Sequence, residues 1–187
     1  MVWLDVGSWW LLVYLLRHLH AVDGISHPVP ISEVYALSAF YDTLNGDDWL
    51  WRETSYGTIW NFTGNISLVN PCSSDWQGIT CDCLVVCNIV QVDLSTYGLQ
   101  GILPDMQNLT MLENINLNNN LILEGDLDRL SALTSLSYIY LSNTAISGDL
   151  QALSTLTSLS VIDLSSTAIS GDLQALSTLT SLSYISL

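Results

Sequence analysis

From residue 101 onward the chain repeats one pattern of apolar and polar positions. Leu127, Leu130, Leu133 and Leu136 fall three apart and lead into Ile139 and Leu141, two apart. The series returns 23 residues later as Leu150, Leu153, Leu156, Leu159, Ile162 and Leu164, and again from Leu173 to Leu187. Gly125, Gly148 and Gly171 keep the same interval, as do the pairs Thr144/Thr167 and Ile146/Ile169. An earlier unit from Gly101 carries Leu103, Met106, Leu109, Leu112, Ile115, Leu117 and Asn120, with one extra residue near 121–124, and a degenerate first unit carries Val92, Leu94 and Leu99. A fixed period of this length marks stacked repeats. Ile139 and Leu141 alternate with Tyr138, Tyr140 and Ser142, a period of two that predicts a half-buried strand. The leucines spaced by three predict tight helical or 3-10 turns. No unit buries its apolar stripe alone, so the units must stack and their strands must form a parallel sheet. An inward polar group at Asn120, Thr144 and Thr167 is expected to satisfy backbone amides of the neighbouring coil, and glycine at the turn to permit a positive φ.

Ahead of the repeats, residues 32–44 place Val34, Leu37, Phe40, Tyr41 and Leu44 at helical spacing. Ser32 is the expected N-cap and Asn45-Gly46 the stop. A first coil exposes an apolar end, which such a helix can cover. Trp49, Trp51 and Trp60 follow closely; they either pack this cap or form a platform for sugar rings.

The stretches LENINLNNNLILEG (112–125), LSYIYLSNTAISG (136–148) and LSVIDLSSTAISG (159–171) resemble the leucine-rich repeat, departing from it in Thr for Asn and in the 23-residue length. The Asn70-Pro-Cys-Ser-Ser-Asp-Trp-Gln-Gly-Ile-Thr-Cys81 segment after an amphipathic helix resembles the N-terminal cap of plant-type extracellular leucine-rich repeat proteins, and Asn45-Gly46-Asp47-Asp48-Trp49 is similar to algal and protist versions. The resemblance covers roughly residues 32–187. It implies an α/β solenoid: a right-handed leucine-rich repeat coil with a concave parallel β-sheet and an N-terminal helical, disulfide-tied cap. The expected organisation is a signal peptide over 1–24, the cap over 31–87, and about five repeats over 88–187, the last incomplete.

Trp9–Leu16 is an unbroken apolar run of eight, too short to span a bilayer and matched to a secretory leader. No positive charge precedes it, and Asp5 sits where one is usual. Cys72, Cys81, Cys83 and Cys87 are an even set, which in a secreted chain reads as two disulfides rather than a zinc site. Three pairings exist; Cys72–Cys81 with Cys83–Cys87 is favoured because both loops are short and no thiol is left free. Sequons at Asn61, Asn65 and Asn108 point the same way, to a glycosylated extracellular chain.

The chain has 187 residues, three arginines (Arg17, Arg52, Arg129), no lysine, and a net charge of −15. A nucleic-acid partner is excluded for want of a basic face, and an anionic membrane surface would repel the chain. Histidine occurs only at His18, His20 and His27, no phosphate-binding glycine loop is present, and no cofactor or metal is expected. Asp126, Asp149 and Asp172 recur at one repeat position, forming either a solvated acidic edge or a column able to attract Ca²⁺.

The residues with binding potential lie between the buried strand positions, at Gln91 and Asp93, Asn114 and Asn116, Tyr138 and Tyr140, Val161 and Asp163, then Tyr184 and Ser186; of these, Asn116, Tyr138, Tyr140, Asp163 and Tyr184 are the expected ligand-binding set. Tyrosine gives large contact area at low entropy cost, although surface tyrosines also support neighbouring strands. The resemblance implies a receptor ectodomain or a secreted recognition protein that binds a protein or peptide on its concave sheet without catalysis. A membrane anchor or kinase domain beyond Leu187 would fit that implication, as would a second class of function, a structural or surface-active solenoid using its Ser/Thr rows (Ser154, Thr155, Thr157, Ser158) against a cell wall or ice. Leu187 falls at a buried strand position in mid-unit, and residues 148–160 and 171–183 are identical; further copies or a covering partner are expected.

Overall fold

The computed structural model describes residues 27–187; the leader expected over 1–24, with His18 and His20, lies outside the described residues. Helix α1 spans Ile31–Thr43, with Val34, Ala36, Leu37 and Phe40 buried. Its N-cap falls two residues before the expected Ser32. Pro30 is the N-cap, and its carbonyl accepts from the N–H groups of Glu33 and Val34. Ser32 therefore sits inside the first turn and caps nothing. Proline suits that place because its missing N–H would be unpaired there in any case. The stop is where Asn45-Gly46 put it: Asn45 adopts φ 60°, a conformation that asparagine tolerates better than most residues.

Two sheets line the coil. The first has six strands: β1 (Ile79–Cys83), β2 (Cys87–Asp93), β4 (Asn114–Asn116), β6 (Tyr138–Tyr140), β8 (Val161–Asp163) and β10 (Tyr184–Ser186), adjacent in that order. Strands β2 to β10 are parallel, in a register that stacks Val92, Ile115, Ile139, Ile162 and Ile185. Only β1 runs antiparallel, hairpinned to β2 and closing the sheet at the cap. The second sheet is parallel and has four strands: β3 (Gln100–Ile102), β5 (Ile122–Asp126), β7 (Ala145–Asp149) and β9 (Ala168–Ser170). The leucines spaced by three form 3-10 turns at 127–130, 150–153 and 173–176.

Between the layers lies one continuous core, from Leu37 and Phe40 of the cap through Leu94, Leu117 and Leu141 to Leu164 and Leu179. Each fully buried leucine stabilises the fold by about 1.5–3 kcal/mol relative to exposure. No helix among the described residues is long and apolar enough to cross a membrane.

Gly101, Gly125 and Gly148 lie in strands of the second sheet, and Gly171 directly follows β9. Gly148 has φ +120°, and a Cβ there would stand 2.6 Å from Asp126 Oδ1; Gly171 meets Asp149 Oδ1 in the same way. Glycine is thus required by the close approach of successive coils as well as by φ. The inward polar ladder also differs from expectation. Asn120 does bridge coils, accepting from Leu99 N–H and donating to the carbonyls of Leu94 and Leu117. Thr144 and Thr167 donate only to Leu141 and Leu164 of their own coil, because a hydroxyl on a two-carbon branch is too short to reach the neighbour.

Candidate ligand-binding face

The cap is held by two disulfides, Cys72–Cys81 and Cys83–Cys87, with no cysteine left free. Three of its tryptophans are interior, and Trp51 is half-buried against them with its N–H donated to the Gly46 carbonyl. Trp49, Trp60 and Trp76 are buried, Trp60 and Trp76 stack at 5.5 Å, and the indole N–H groups of Trp49 and Trp60 donate to the carbonyls of Leu44 and Gln77. Buried, and with their N–H groups committed, Trp49 and Trp60 offer no platform for sugars. Buried Gln77 ties the cap together, donating to the carbonyls of Arg52 and Gly57 and accepting from Arg52 N–H and Tyr97 O–H.

Asp126, Asp149 and Asp172 are turn caps. Each uses Oδ1 to accept from the N–H two residues on, at Asp128, Gln151 and Gln174. The repeated carboxylate is thus explained by the start of each 3-10 turn. The Ser/Thr rows are partly committed too: Thr178 donates to the Ser154 carbonyl, Ser170 to Gly148, and Ser183 to Ser160 of the preceding coil. The sequon asparagines Asn61, Asn65 and Asn108 are exposed. Asn61 and Asn65 accept from the N–H of Thr63 and Ser67 within their own sequons.

On the six-stranded sheet the strand register places the expected binding residues in two rows. One row is Gln91, Asn114, Tyr138, Val161 and Tyr184; the other is Asp93, Asn116, Tyr140, Asp163 and Ser186. Tyr138 and Tyr184 are 40% and 54% exposed, and Tyr140, Asn116 and Asp163 are half-buried. All five expected residues share one face.

The second row separates structural from spare groups. Asp93, Asn116 and Asp163 each use Oδ1 to accept the N–H two residues on, at Ser95, Asn118 and Ser165. Asp163 also accepts from Ser165 Oγ at 2.7 Å. These bonds tie down the turn that follows each strand. Tyrosine cannot make that bond, and at Tyr140 the job passes to the previous coil, where Asn118 Oδ1 accepts from Ser142 N–H. Tyr140 occupies a turn-forming position without serving the turn. None of Tyr138, Tyr140 and Tyr184 stacks on another ring among the described residues, in contrast to the cap aromatics. Asn114, which also lies at one of these positions, has a buried Oδ1 with no hydrogen-bond partner among the described residues.

No protein-family model matches the chain, and no curated protein sequence matches it. Solved structures do. The BIR2 ectodomain from Arabidopsis thaliana superposes with a TM-score of 0.65 at 18% identity, covering 86% of this chain and 80% of that one. The ectodomain of the Arabidopsis thaliana receptor kinase GASSHO1/SCHENGEN3, solved in complex with CASPARIAN STRIP INTEGRITY FACTOR 2, gives 0.65 at 23% identity, over 83% of this chain and 18% of that one. Pollen Receptor Kinase 3 gives 0.56 at 26% identity, over 69% and 63%. The chain has the fold of plant-type leucine-rich repeat ectodomains, an α/β solenoid with a disulfide-tied cap.

Proposed function

We propose that the chain is an extracellular binding module that holds a protein or peptide ligand on its concave six-stranded sheet and performs no chemistry on it. The observation that carries this reading is Tyr140. A position that is Asp or Asn in three other coils, where it accepts the N–H of the following turn, is given to an aromatic ring beside Tyr138 on the same strand. Giving up a turn bond for a half-exposed ring makes sense as contact area for a partner. The fold alone would not decide function. Two disulfides fit the oxidising conditions outside the cell, and exposed sequon asparagines at Asn61, Asn65 and Asn108 fit passage through the secretory pathway. The solved complex of GASSHO1/SCHENGEN3 with its factor is a precedent for a ligand-holding ectodomain of this architecture. A membrane anchor or kinase following the solenoid belongs to the same reading, as does cleavage of the leader over 1–24.

Selection of displayed random peptides on the full chain tests it. Peptides enriched on the unchanged protein are expected to lose capture by a variant carrying Tyr138→Ala and Tyr140→Ala, with about 2 kcal/mol or more of affinity removed. Retained capture by that variant, with loss on substituting Ser154 and Thr155 instead, moves the site to the convex rows and supports the surface-active alternative.

A further inference from the structure

Resting on the concave-face reading, we propose that Tyr138, Val161 and Tyr184 form a docking strip for a basic, proline-rich peptide in the polyproline II conformation, lying across the strands. The three residues are consecutive in one row of the sheet, Tyr138 paired to Val161 and Val161 to Tyr184. Both rings stand exposed with a half-buried aliphatic floor between them.

Spacing selects the ligand conformation. Adjacent strands lie about 4.7–4.9 Å apart, so residues two strands apart repeat at about 9.4–9.8 Å. A polyproline II helix has three residues per turn and rises about 3.1 Å each, so prolines at i and i+3 repeat at about 9.3 Å. An extended strand presents side chains on one face every 6.6–6.8 Å or so, and an α-helix completes a turn in about 5.4 Å. Only the polyproline period seats one ring on each tyrosine with the intervening turn over Val161. Such a ligand is ordered before it binds, and aromatic grooves exploit that.

Charge and hydrogen bonding select the rest. With three residues per turn, one other edge of the ligand faces the neighbouring row, where Asp163 lies beside Tyr140. Asp163 commits Oδ1 to Ser165, which leaves Oδ2 for a guanidinium. Among the described residues no positive side chain competes: Arg52 lies over the Tyr97 ring at 4.9 Å and donates to the Ser95 carbonyl, and Arg129 lies beside Asp128.

Isothermal titration of the full chain with a synthetic peptide of four Pro-Pro-Arg repeats tests this. Controls are four repeats of Ala-Ala-Arg and a proline-free peptide of six Thr-Arg repeats, with variant folding checked by circular dichroism. The proline peptide is expected to bind, Tyr138→Ala and Tyr184→Ala each to weaken it about tenfold or more, and Tyr184→Phe to stay within about threefold. The alanine peptide is expected to bind at least about tenfold more weakly, since it keeps the charge and loses the preformed helix. Failure of the proline peptide to bind, or equal binding of the alanine peptide, overturns the proposal. If the Thr-Arg peptide binds through the tyrosines and the proline peptide does not, the strip is wrong and the concave face stands. If some peptide binds and every tyrosine variant leaves it unchanged, both fall.

Discussion

Glu33 is an acid placed where hydrophobic residues belong. It is 2% exposed, and its Oε2 accepts from Ile89 N–H at 2.8 Å, pinning helix α1 to strand β2. Burial pushes its carboxyl above the ordinary carboxylate range, and the Ile89 N–H pulls it partly back. The folded chain therefore takes up this proton at a higher pH than the unfolded chain does. Glu33 contributes stability that is complete below the unfolded value of about 4.3 and is lost as pH rises through the folded one. Glu33→Gln keeps an acceptor for Ile89 and removes the charge. Thermal melts are expected to show a shallower fall in stability above about pH 4.3 than in the unchanged chain; an identical slope would show that the group does not titrate with folding. Tyr41 carries a similar mark at the other end of the helix, its hydroxyl pushed up to about 12 by burial and by its bond to Asp47. At the inward ladder, Asn120→Leu severs bonds to four backbone groups, two of them on the neighbouring coil, whereas Thr144→Val removes one within its own coil. At about 0.5–1.5 kcal/mol per bond, with an added penalty for buried groups left unpaired, urea denaturation is expected to find Asn120→Leu the costlier change. Equal costs would contradict the assignment of inter-coil bonding to Asn120 alone.

At the scale of elements, the parallel strands of the six-stranded sheet were legible because a period of two recurs inside a period of 23. The second sheet was not. Its strands run through Gly101, Gly125 and Gly148, residues disfavoured in strands, and what places them is the approach of one coil to the next. The hairpin of β1 and β2 escaped notice for a related reason: its turn is closed by Cys83–Cys87 and lacks the Asn-Gly or Asp-Gly signal of a short hairpin. Ser32 was a reasonable cap by type, but Pro30 ends the preceding segment first. The disulfide pairing did follow from loop length. Cys72–Cys81 closes a loop of nine residues' separation, and replacing Cys72 with Ala is expected to cost about 2–5 kcal/mol, as for other small disulfide-tied domains. Peptide mapping without reduction should recover both bridges; a zinc-bound or free-thiol chain would contradict the cap.

For the whole molecule, the solenoid turns a 23-residue period into rows of aligned side chains, and selection can act on a row only where the fold does not already claim it. The Asp126, Asp149 and Asp172 row is claimed by turn caps, and part of the hydroxyl array by carbonyls of the preceding coil. The tyrosines Tyr138, Tyr140 and Tyr184, in two adjacent rows of the six-stranded sheet, are unclaimed. Placement of Asn116, Tyr138, Tyr140, Asp163 and Tyr184 on one face was legible, since alternation fixes which side of a strand a residue takes. That Asn116 and Asp163 spend one atom each on a turn, and that Tyr140 does not, required the coordinates. The central claim is that this face is the binding surface, and hydrogen exchange on the full chain, free and loaded with a selected peptide, tests it most directly. Ligand-dependent protection is expected across the strand segments 138–140, 161–163 and 184–186, with segments 154–158 and 177–181 unchanged; protection confined to the latter two would contradict the account.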